Sequence, residues 1–104
     1  AFLAAADAEH EGAWRMPLAP AYDAALKSRL ADMANVGGRP GGAITTALFL
    51  KEFTGGLPWA HLDVAGTAWV DEPKPYAPKG ATGVAVRTLA ELAFTASRWE
   101  APTA

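Results

Sequence analysis

Trp59-Ala60-His61-Leu62-Asp63-Val64-Ala65-Gly66-Thr67-Ala68-Trp69 is the stretch on which the fold of this chain turns. Its first half alternates as a strand does, with Ala60, Leu62 and Val64 on one face and His61, Asp63 and Ala65 on the other. At Gly66 the alternation stops, and a long irregular segment is expected to run to about Gly83. Open α/β sheets place their ligands where a strand ends in a loop of this kind.

Working upstream, Thr54-Gly55-Gly56-Leu57-Pro58 is a turn, and Ala43 to Phe53 is apolar nearly all round, which predicts a helix buried on most sides. Gly37-Gly38-Arg39-Pro40-Gly41-Gly42 precedes that helix, and Asp32 to Val36 is expected as a short strand before it. Strand, helix and strand in this order predict a βαβ unit with parallel strands. Pro20 suits the first turn of an earlier helix, with Tyr22, Leu26 and Leu30 at four-residue spacing and Asp23 and Lys27 as an i,i+4 pair. Ala13 to Leu18 is expected to be extended. Ala1 to His10 is expected to be the end of a helix stopped near Gly12. Downstream, Asp71 to Pro78 is a polar, proline-containing loop. A last helix over about 84–97 would carry Val86, Leu89, Ala90 and Ala93 on one stripe. Trp99 to Ala104 is expected to fray.

The length of 104 residues and a 51% hydrophobic content fit one domain, or a piece of one, with a real core. A net charge of −2 argues against a phosphate-backbone binder. With no cysteine, disulfides and thiolate metal sites are excluded. No apolar run approaches the roughly 18 residues of a membrane span, and Ala1 to Ala8 has no signal-peptide pattern, so a cytoplasmic setting is expected.

Candidate chemistry is sparse. His61 and Asp63 share a strand face and could touch one metal, but zinc sites take three or more protein ligands and His10 lies in another element. Polar side chains satisfied by their neighbours are the simpler reading. The glycine loop opens onto a helix N-terminus without the spacing of a P-loop or a dinucleotide fold. Close backbone packing explains those glycines better. Thr82, in Gly80-Ala81-Thr82-Gly83, is a candidate cap for the last helix. The tryptophans are not interleaved with Lys or Arg, so Trp14, Trp59 and Trp69 are expected in the core or at subunit contacts.

Five ordered segments nevertheless carry a specific pattern: Trp14-Arg15-Met16-Pro17-Leu18, Asn35-Val36-Gly37-Gly38-Arg39, Gly42-Ala43-Ile44-Thr45, Trp59 to Gly66, and Lys79-Gly80-Ala81-Thr82-Gly83. Together they resemble the C-terminal part of the leucyl aminopeptidase (cytosol aminopeptidase) family. The resemblance implies that residues 1–104 are a segment of a three-layer α/β/α mixed-sheet metallo-exopeptidase domain. It also implies a cytoplasmic homo-hexamer that removes N-terminal leucine and other hydrophobic residues from peptides. Such enzymes use two divalent ions (Mn2+, Zn2+ or Mg2+) to hold the amine and the scissile carbonyl and to activate water. The family's ligand segments, including Asn-Thr-Asp-Ala-Glu-Gly-Arg, are absent from this sequence. No catalytic residue or metal ligand is therefore carried over, no metal is expected in this chain, and the chain is expected to be inactive alone.

What the resemblance does place here is part of a substrate wall. Ala65 and Ala68 would line the pocket for the N-terminal side chain, with Gly66 and Thr67 shaping its backbone and Val36 in the neighbouring leaving-group pocket. The alternative from a different class is a non-catalytic α/β binding or scaffold module derived from the same fold. Neither reading involves nucleic acid or a membrane.

Overall fold

The computed structural model describes residues 1–99. It contains three α-helices, α1 (Phe2–Ala8), α2 (Gly42–Lys51) and α3 (Val86–Phe94), and two short strands, β1 (Trp69–Val70) and β2 (Gly80–Ala81). 3₁₀ turns occupy Pro20–Leu26 and Ala96–Arg98. The chain divides into two compact units: Arg15–Leu62, and Ala1–Trp14 with the chain from Asp63 onward.

The Arg15–Leu62 unit is built around α2. Gly41 adopts a left-handed φ of 65° that few other residues reach without cost, and its carbonyl accepts the Ile44 and Thr45 N–H groups to start the helix. Buried Thr45 turns its hydroxyl onto the Gly41 and Gly42 carbonyls, so its burial leaves nothing unpaired. Leu26, Ile44 and Leu48 form the core, with Leu18, Met33 and Phe49 packed against it. Each such side chain contributes about 1.5–3 kcal/mol on burial. The helix is buried along one face only, since Leu50 is 40% exposed, and Phe53, just beyond its end, is 70% exposed. Gly37 packs so closely against α2 that an added Cβ would lie 2.9 Å from Thr45 Cγ2 and 3.0 Å from Ala25 Cβ.

Three further expectations fail. The helix from Pro20 stops at Leu26, because Ser28 Oγ accepts the N–H groups of Leu30 and Ala31 and offers the backbone a turn instead. Leu30 is left fully exposed. Asp32 to Val36 forms no strand; Ala34 donates back to the Leu26 carbonyl. Trp59 to Ala65 pairs with no strand among the described residues, and the one sheet is the antiparallel β1–β2 pair, so the expected βαβ unit is not formed. Alternating side chains show which face a segment can bury, but a strand exists only where a neighbour takes its backbone hydrogen bonds.

In the other unit α1 packs against α3. Ala5 and Ala6 are buried on α1, and Thr88 is the buried residue of α3. The expected apolar stripe of α3 points outward, with Val86 63% and Leu89 50% exposed. The reason lies at the start of α3. Glu11 accepts the N–H of Ala85 (2.9 Å) and of Thr88 (2.9 Å) and the Thr88 hydroxyl (3.0 Å), which turns the Thr88 side inward. Arg87 follows, with its Nε 3.9 Å from Glu9 Oε2 and a hydrogen bond to the Glu9 carbonyl. Trp14 and Trp69 are largely exposed rather than in a core. Of the expected frayed tail, residues 100–104 lie outside the described residues.

The Thr88 N–H beside Glu11 holds its carboxyl below the usual carboxylate range, helped by the Ala85 N–H, the Thr88 hydroxyl and the Arg87 charge against some desolvation. A carboxyl whose folded pKa is depressed contributes stability above its unfolded pKa of about 4.3, and that stability is lost as pH falls through the folded value. Glu11→Gln is therefore expected to lower Tm at pH 7 and to shrink the loss of Tm between pH 5 and pH 3. Equal acid limbs in wild type and variant, measured by calorimetry, would refute this role. At Gly37, Gly37→Ala is expected to cost about 1–3 kcal/mol through overpacking against Thr45. Gly12→Ala, where nothing lies within 4 Å, serves as the control and should unfold close to wild type in urea.

Candidate functional site: a clamped turn of small residues

Four of the five residues expected at the substrate wall form one turn. Asp63 Oδ1 accepts the Ala65 N–H at 3.1 Å, which opens the turn. The Val64 carbonyl accepts the N–H groups of Thr67 (3.0 Å) and Ala68 (2.8 Å), which closes it. Ala65, Gly66 and Thr67 are exposed, and Ala68 is half-buried. Val36 lies in the other unit, 76% exposed and next to the tightly packed Gly37.

The turn is held from across β2. Thr82 donates its hydroxyl to the Thr67 carbonyl at 2.7 Å and its N–H to the Ala68 carbonyl at 2.9 Å. Beside it, the β1–β2 ladder pairs Trp69 with Ala81 and Val70 with Gly80. Thr82 Oγ1 also accepts the Val84 N–H at 3.3 Å, so the expected helix-capping residue acts instead as a joint between the turn and the approach to α3. A wall of alanine and glycine has no long side chains to adjust, so its shape is that of its backbone.

His61 and Asp63 do not converge on a metal. Asp63 is engaged by its own turn, and the His61 ring lies over Trp59 with centroids 6.1 Å apart. Among the described residues no group of three or more His, Asp or Glu side chains is arranged to hold an ion. The described residues do not fit a two-metal centre, and no reaction step is assigned to them. No described helix is long and apolar enough to cross a membrane. Glu11 was not indicated by the sequence: its partners lie 74 and 77 residues away, and nothing local marks it.

With this geometry in hand, the chain can be placed. Residues 1–90 match the cytosol aminopeptidase family, catalytic domain, and the chain belongs to that family. It is 63% identical over 92 residues to a probable cytosol aminopeptidase of Solibacter usitatus, covering 88% of this chain and 19% of that protein. It is 60% identical over 93 residues to one of Dinoroseobacter shibae, with the same coverage of 88% and 19%. Among solved structures it is similar to the bottromycin maturation enzyme BotP, with a TM-score of 0.84, 44% identity and coverage of 94% of this chain and 22% of that one. The same enzyme in complex with Mn gives a TM-score of 0.78 and 46% identity, covering 86% and 20%. The chain thus spans about a fifth of the length of the relatives it matches.

Thr82→Val removes the 2.7 Å bond to the turn while leaving the side chain's shape. The expected cost is about 0.5–1.5 kcal/mol, seen as up to roughly tenfold faster hydrogen exchange at Thr67 and Ala68. Unchanged exchange at those two amides would show that the turn holds itself.

Proposed function

We propose that this chain is part of the catalytic domain of a metal-dependent aminopeptidase that removes N-terminal leucine and other hydrophobic residues from peptides. Ala65 and Ala68, with the Gly66 and Thr67 backbone, form a wall of the pocket for the departing residue's side chain, and Val36 belongs to the leaving-group pocket. The observation that carries this reading is the turn itself: small residues with exposed faces, clamped at the Thr67 and Ala68 carbonyls by Thr82. A fixed, shallow wall leaves room for a branched aliphatic side chain, and each methylene buried there contributes about 0.8 kcal/mol.

In the complete enzyme two divalent ions, Mn2+ or Zn2+, are held by residues outside this chain. The Mn complex of the similar structure supports manganese in particular. A three-layer α/β/α domain, hexameric assembly and a cytoplasmic setting complete the proposal. In that domain Trp59 to Ala65 finds the strand neighbour it lacks among the described residues.

Ala68→Phe tests the wall. In the full-length enzyme it should reduce kcat/KM for leucine substrates by roughly ten- to a hundredfold, with alanine substrates losing less. Metal content should not change, because no ligand is touched. Equal losses for both substrates, or loss of metal, would remove Ala68 from the pocket.

A further inference from the structure

The small-residue turn is bonded to a residue 15 positions further on. Thr82 bonds the Thr67 and Ala68 carbonyls, and the path from Thr82 into α3 is short and conformationally costly. It passes through Gly83 at φ 66° and Ala85 at φ 70°, and the latter is a left-handed conformation that a residue with a Cβ adopts only when its surroundings hold it there. What holds it is Glu11, whose Oε2 accepts the Ala85 N–H while Oε1 takes both the N–H and the hydroxyl of Thr88. Three hydrogen bonds, joined through the Val84–Ala85 peptide, therefore link the carboxylate to the turn: Ala85 N to Glu11 Oε2 at 2.9 Å, Val84 N to Thr82 Oγ1 at 3.3 Å, and Thr82 Oγ1 to the Thr67 carbonyl at 2.7 Å.

We infer that Glu11 is a positioning residue for substrate selection: by pinning Ala85 and the first turn of α3, it sets the placement of the Ala65–Ala68 wall through Thr82. The inference rests on the pocket reading above. A cap that only stabilised α3 would act on stability alone. A carboxylate joined to the wall also acts on the discrimination between side chains that touch the wall and those too short to reach it.

The test uses the full-length enzyme. Glu11→Gln puts an amide where two backbone N–H groups point, and one of them loses its acceptor. The leucine-over-alanine ratio of kcat/KM should fall by roughly three- to tenfold, less than an occupied pocket produces, with the change carried by KM for leucine. Glu11→Asp keeps the charge but withdraws it by one methylene; it should shift the ratio in the same direction, and it decides alone if Glu11→Gln does not fold. Ala68→Phe is measured alongside. If Ala68→Phe shifts the ratio and the Glu11 variants do not, or if they depress both substrates equally, the pocket stands and the positioning role is overturned. If Ala68→Phe leaves the ratio unchanged, the pocket reading fails and this inference fails with it.

Discussion

One carboxylate sets much of what surrounds it. A helix starts with N–H groups that nothing within the helix can satisfy, and α3 has no side-chain cap of its own at Ala85. Glu11 supplies the acceptors from another part of the chain, just past the end of α1. A negative charge at a helix N-terminus is also favoured by the helix dipole. His10 takes a left-handed φ of 54° as α1 ends, with the Glu11 N–H returning to the Ala6 carbonyl, and the chain turns so that Glu11 reaches α3. The Glu11 cap explains why the apolar stripe of α3 faces outward, because the capped side of the helix is the side that must turn in.

The helices were largely visible in the sequence, and the strands were not. Gly41 and the Thr54-Gly55-Gly56 turn bracket α2 within a residue or two of the expected ends, since glycine punctuation and helical periodicity are both local signals. Strand formation depends on a partner, and Trp59 to Ala65 has the alternation without a pairing strand among the described residues. Leu30 shows the converse failure: periodicity extended the helix past Leu26, and one hydroxyl, Ser28 Oγ, ended it.

The turn at Asp63 to Ala68 was visible in outline. The break at Gly66 marked where the strand pattern stops, and the turn is there. Thr82 has the sequence position of a helix cap, but its shortest hydrogen bond runs to the Thr67 carbonyl, 15 residues back. Glu11 could not be found at all, because a cap reaching across 74 residues leaves no local pattern. The resemblance singled out Ala65 to Ala68; the structure shows what holds that turn.

That division follows from the chemistry of small residues. A pocket lined by leucine or phenylalanine can be reshaped by rotamer changes near the ligand. Alanine and glycine have no rotamers to change, so a wall of Ala65, Gly66 and Ala68 moves only when its backbone moves. The backbone of the turn is bonded to itself through Val64 and to the rest of its unit through Thr82. Under the proposed function, selection among substrate side chains follows from the hydrogen bonds that Thr82 makes to the Thr67 and Ala68 carbonyls. In such a pocket the residues that determine specificity need not line it, and a sequence comparison confined to the lining would miss them.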